Sequence, residues 1–276
     1  MLARMTSAAI RGLLVALLVV LPSLLLPGAV TQSPEIIAFS GLLAGALIFA
    51  EYNSDSPSFI EFRDAPPFNR SRFFVLGLCM VLLSLLAGHG FAPTGLTALV
   101  HKLAFSLGEA LDFAYSPVQL VRLMMPASVP QYTVEITRAA AGMAYLLSLL
   151  SIAWFAAMIR LRDWPIGSGA FNVWVNLPLF DPTTGGDVVT RLQRDAKLHI
   201  IAGVLLPFAL PALVQITASS FDPALLGNPQ LLIWCVTGWA MGPAGMIVRG
   251  MARQRIADLI EQKRRSYAHD KDLQIV

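Results

Sequence analysis

The sequence predicts an all-α membrane protein, a polytopic bundle of about six transmembrane helices with an amphipathic helix added at the interface. Three observations predict it. Hydrophobic residues make up 56% of the chain and charged residues only 13%, against about a quarter charged in soluble domains; mean hydropathy is +0.65. Apolar runs recur at the length needed to cross a hydrocarbon core of about 30 Å. The basic residues between those runs fall overwhelmingly on one side.

The runs cover residues 8–29, 34–51, 73–91, 134–159, 198–218 and 230–248. Lysine and arginine accumulate in cytoplasmic flanks. With the N-terminus inside, every lysine and arginine except Lys102, Arg122 and Arg138 lies inside. Six spans with both termini cytoplasmic follow, and the simple arginine-biased flanks suggest a bacterial inner membrane. The first run also fits a signal peptide, since Arg4 and Arg11 precede apolar residues. Its "LPGA" is a poor cleavage site because Pro27 stands where a small residue is wanted.

Small residues four apart allow helices to approach closely. Gly41 and Gly45 in the second run, Ala140, Ala144 and Ser148 in the fourth, and Gly238 and Gly242 in the sixth are therefore expected to pack the bundle. In the fifth run, "LLPFALPAL", Pro207 and Pro211 remove two helical donors and impose a kink. Such a break either lines a path through the membrane or is structural.

Between the third and fourth runs, residues 94–115 carry Leu96, Leu99, Leu103, Leu107, Ala110 and Ala114 at helical spacing. His101, Glu109, Asp112 and Tyr115 fall opposite, as expected of a helix lying in the outer interface. After the sixth run, residues 249–276 form a basic cytoplasmic tail. Its Arg253, Arg255, Lys263, Arg264 and Arg265 are expected to bind the anionic membrane surface.

Two inner loops stand out. The first, "EYNSDSPSFIEFRDAPPFNRSR", mixes Phe59, Phe62 and Phe68 with charges of both signs and a Pro-Pro pair. In the second, "VWVNLPLFDPTTGGDVVTRLQRD", Phe171, Val173, Val175 and Leu177 alternate with Asn172, Trp174 and Asn176, the period of a short extended segment. "DPTTGGD" then turns the chain, and Asp187 or a nearby threonine caps an amphipathic helix that feeds the fifth span. Phe62, Arg63, Phe68, Trp174 and Phe180 together have the aromatic-plus-arginine composition of protein-binding surfaces.

Several chemistries find no support. Cys79 and Cys235 lie in apolar runs with no partner at metal-ligand spacing, so neither a disulfide framework nor a metal site is expected. No ionisable residue sits in the middle of a span, which argues against a carboxylate proton relay and a transmembrane haem pair. Gly185-Gly186 lacks the context of a phosphate loop. No cofactor and no nucleic acid is expected. The outer constellation His89, His101, Glu109, Asp112, Glu135 and Arg138 is the best catalytic candidate. His101 and Asp112 would stand about 16 Å apart along one helix, and Glu135 would neutralise Arg138 at i+3.

The reading that follows is a membrane scaffold, assembly factor or accessory subunit contacting lipids and docking another membrane or cytoplasmic protein through its inner loops. The alternatives are a small permease or lipid-handling protein using the Pro207/Pro211 break, and an outer-face enzyme.

Overall fold

The computed structural model describes residues 2–28, 33–56, 58–165, 172–181, 183, 185–217 and 223–274; the side chains of 173, 174, 223, 224 and 269–274 lie outside the description. Helices form at α1 Leu2–Leu25, α2 Pro34–Asn53, α3 Phe68–Gly88, α4 Gly95–Leu111, α5 Pro117–Leu123, α6 Gln131–Leu161, α7 Val173–Asn176, α8 Val188–Ile216 and α9 Pro229–Gln274. A 3-10 turn covers Pro223–Gly227. Among the described residues there is no strand. Six of the helices, α1, α2, α3, α6, α8 and α9, are long and apolar enough to cross a membrane.

Local chemistry sets several helix ends. Thr94 starts α4 through a reciprocal capping box with Thr97, satisfying two otherwise orphaned groups. Asp187 starts α8 by accepting from the Thr190 N–H at 3.1 Å. The amphipathic segment and the fifth apolar run are thus one uninterrupted helix, as are the sixth run and the basic tail.

Helices meet where glycine removes the side chain. A Cβ on Gly12 of α1 would come within 2.6 Å of the Gly45 carbonyl of α2, and one on Gly142 of α6 within 2.7 Å of the Gly108 Cα of α4. These seams let backbones touch, gaining dispersion contacts that lipid tails do not better. Gly238 and Gly242 correct the expectation that they pack the bundle, because nothing lies within 4 Å of where their Cβ atoms would be. The reason is rotational: α9 turns Leu232, Ile233, Val236 and Ala240 inward, leaving the glycines on the opposite, exposed face.

Two apolar cores result. One joins α3, α4, α5, α6 and α9 around Leu83, Ala104, Val118, Ala140 and Ile233. The other lies at the end where arginines concentrate, and is built from loop residues as much as from helices: Phe62, Phe68, Phe155, Trp164, Leu177, Phe180, Leu192 and Ile256.

Candidate functional site

The arginine-rich end is a folded cap. The loop that follows α2 is anchored by Glu51, whose Oε1 accepts from the successive backbone N–H groups of Ser58, Phe59 and Ile60 at 2.6, 2.8 and 3.0 Å. Arg63 donates to the Glu51 and Ser54 carbonyls, so a basic residue expected at a docking surface instead ties the loop to the end of its own helix. Phe62 and Phe68 approach with ring centroids 4.5 Å apart, and Trp164 packs on both at 5.5 and 6.0 Å. The Trp164 indole donates to the Ala65 carbonyl at 3.1 Å, satisfying its one polar atom inside the cluster.

The second loop locks onto the first through Asn176. Its carbonyl accepts from the Phe62 N–H at 2.7 Å, and its side-chain oxygen accepts from the Asp64 N–H at 3.0 Å. Its amide nitrogen donates to the Asn172 carbonyl at 2.9 Å, and its backbone N–H donates to the same oxygen at 3.1 Å. These bonds curl residues 172–176 into the one-turn helix α7, which corrects the extended segment expected there. The alternation of side chains was real, but asparagine's capacity to bond the backbone locally and across loops outweighed it. Phe171 lies outside the described residues.

Three of the aromatic candidates for docking are accordingly core residues: Phe62 is 1% exposed, Phe68 0% and Phe180 5%. The expectation that they form an accessible patch is corrected; the loops bury their aromatics against each other. The Trp174 side chain lies outside the described residues. Phe59 and Leu179 stay exposed on the cap, as does Leu161 at the end of α6.

The centre of the cap is ionic. Glu61, its side chain 3% exposed, accepts from Arg249 Nε at 2.6 Å and from an Arg253 terminal nitrogen at 2.6 Å. Arg249 and Arg253 are four apart, hence on one face of α9. Arg253 also faces Asp195 at 3.7 Å. Its burial corrects the expectation that it touches the membrane surface: a carboxylate in a dry site needs a paired cation, and Arg253 supplies it. Arg255 is likewise drawn inward, donating to the Trp164 carbonyl at 3.2 Å and facing Asp163 at 3.5 Å.

Further along α9, Lys263, Arg264 and Arg265 are exposed. Arg264 pairs with Asp187 at 2.7 Å, which with the Thr190 N–H holds that carboxyl below its ordinary range. Arg265 pairs with Glu261, and Lys263 lies over the Tyr267 ring. Sequence reasoning did not single out Glu61, which ties the first loop to α9, and named Asn176, which joins the two loops, only as part of an alternating segment. The i, i+4 arginine pair was a legible signal for an acidic partner, though not for which one.

Pro207 and Pro211 are buried, and α8 runs through both. Pro211 has no N–H to give the carbonyl four residues back, which is that of Pro207. The Trp239 indole of α9 donates to that oxygen at 3.0 Å instead. One of the two carbonyls that the prolines leave without a helical donor, that of Pro207, therefore serves the packing of α8 on α9.

At the opposite end, His89 and His101 bring their rings to 4.8 Å, and His101 stacks on Phe105 at 4.2 Å. Partial burial, with His89 adding to it, lowers the His101 pKa. His89 Nδ1 lies 2.9 Å from the Thr97 hydroxyl. Asp112 is held by Arg122 at 2.7 Å and Arg138 at 3.8 Å, with Glu109 at 3.6 Å from Arg138. Arg138 thus pairs across helices, while Glu135 accepts from Gln131; the i, i+3 pairing expected between them does not form. Among the described residues no three His, Cys, Asp or Glu side chains are grouped to hold a metal ion.

Fold and site define a helical membrane bundle with six potential spans and a tightly cross-tied arginine-rich cap. No family model, curated protein or solved structure matches the chain.

Proposed function

We propose that this protein is a polytopic scaffold or accessory subunit of a bacterial inner membrane, and that its arginine-rich cap is cytoplasmic and docks a partner protein. One observation carries the reading: the loops at that end fold into a unit with its own aromatic core, as Phe62, Phe68, Phe155 and Trp164 show. A connection that only joined two spans would need no such core, because loop closure alone requires few specific contacts. A packed cap presents a fixed surface, which lowers the ordering cost of binding. The contact moves from the buried aromatics to the exposed rim of Phe59, Leu161 and Leu179.

The test is co-purification after gentle solubilisation, comparing wild type with Leu179→Asp and Phe59→Ser. Each is expected to release the partner while leaving the amount of chain in the membrane unchanged, since truncating a central apolar contact commonly costs about 2 kcal/mol or more of binding. Retention of every co-purifying protein by both variants would remove the rim as the docking surface.

A further inference from the structure

A cavity of about 240 Å³ opens between α3, α6 and α9 just beneath the cap. Its walls are Val75, Leu76, Trp154, Phe155, Met241 and Val248, and at its capped end stands Arg72. Arg72 is exposed, and among the described residues its guanidinium makes no hydrogen bond or ion pair; it lies over the Phe68 ring at 5.3 Å. Room for it comes from Gly245, where a Cβ would stand 3.2 Å from an Arg72 terminal nitrogen.

The neighbouring charges explain why it is unpaired. Glu61 lies within electrostatic reach of Arg72, but both its oxygens are taken by Arg249 and Arg253, and Asp195 faces Arg253. Three arginines against two carboxylates leave one cation over, and Arg72 is the one that faces the cavity. An unpaired guanidinium at the edge of an apolar wall attracts an anion, and Arg presents the fork that matches a phosphate.

The apolar part matches a hydrocarbon chain. From Arg72 to Leu76 and from Val248 back to Met241 the lining descends about 6–10 Å along the helices, at 1.5 Å per residue. The cation sits in the second turn of α3, one of the helices long and apolar enough to cross a membrane, at the end where basic residues gather, which is headgroup height.

We propose that this cavity is a binding site for one anionic glycerophospholipid, its phosphate on Arg72 and the start of one acyl chain against Leu76, Trp154 and Met241. The surplus positive charge favours a headgroup with net negative charge over a zwitterionic one. The occupant is a lipid and not a free phosphate, because most of the lining offers an anion nothing.

The experiment is native mass spectrometry of the full chain in a nonionic detergent, titrated separately with phosphatidylglycerol, phosphatidylcholine and inorganic phosphate. Wild type should retain one phosphatidylglycerol at a concentration about tenfold below that needed for phosphatidylcholine, whose quaternary ammonium neutralises its own phosphate and adds a like charge beside the surplus arginine. Arg72→Gln should abolish that preference, whereas Arg70→Gln, which removes an exposed charge two residues away, should keep it. Ser151→Leu narrows the cavity without touching Arg72 and should weaken retention of both lipids, so the proposal stays testable if Arg72→Gln misfolds. Phosphatidylglycerol with brominated acyl chains should quench tryptophan emission, and less so in Trp154→Phe. Equal retention of the two lipids by wild type would overturn the proposal, as would unchanged preference in a folded Arg72→Gln. Displacement of the lipid by an equal concentration of inorganic phosphate would overturn the choice of occupant.

Discussion

Glu61 shows how a single carboxylate organises the cap. Removing its charge leaves Arg253, 7% exposed, facing only Asp195 at 3.7 Å. Breaking one side of a buried ion pair costs about 3–5 kcal/mol, because the remaining charge is uncompensated, whereas exchanging the whole pair for apolar groups is often neutral. Glu61→Gln is therefore expected to lower the stability of the purified protein by about 3 kcal/mol and to open the loop after α2 to protease. Adding Arg253→Met should restore part of the loss. Thermal unfolding of the single and double variants measures both. A single variant within about 0.5 kcal/mol of wild type, the range of ordinary surface changes, would mean that the pair contributes little.

At the scale of elements, spans and their breaks were legible because lipid demands long apolar runs and satisfied backbone bonds. Pro207 and Pro211 were recognisable as positions without helical donors, but not what bonds the Pro207 carbonyl instead, since Trp239 lies in another helix and the bond between them depends on rotation of both. The same limit applied to the extended segment read from 171–177: a period of two is local, and the Asn176 bonds to Phe62 and Asp64 that overrode it are not. The bond from Trp239 to the Pro207 carbonyl lends itself to a double-mutant cycle. Trp239→Phe should lose about 1 kcal/mol by stripping the Pro207 carbonyl of its donor. Pro211→Ala supplies an N–H to that carbonyl from within α8, so the second substitution should cancel most of the first. If the two effects simply add in thermal unfolding, the indole bond and the missing helical bond are not coupled.

For the whole molecule, the contacts sort the chain's charges to two ends. Arg4 bonds Asp55 and Arg11 lies over the Tyr52 ring, so the start of α1 joins the loop after α2. Glu61 ties that loop to α9, and Arg264 ties α9 to the start of α8. Lys102, Arg122 and Arg138, the three basic residues that the sequence assigned to the other side, belong to α4, α5 and the first turns of α6. This two-ended arrangement was readable from loop charge alone, whereas the cap's buried aromatics were not: an aromatic beside arginines has the same composition in a core as at a docking surface. Charge asymmetry of this kind orients a chain as it inserts, and the arginine-rich end is expected to face the cytoplasm. In a background of Cys79→Ala and Cys235→Ser, cysteine placed at the exposed Ser266 of α9 should resist a membrane-impermeant thiol reagent added to intact cells, and react after permeabilisation. Cysteine at the exposed Ser106 of α4 should react without permeabilisation. The reverse pattern would place the cap outside the cytoplasm and take the proposed partner with it. Labelling of both positions in intact cells would mean that an even number of crossings, and not the three of α6, α8 and α9, lies between them.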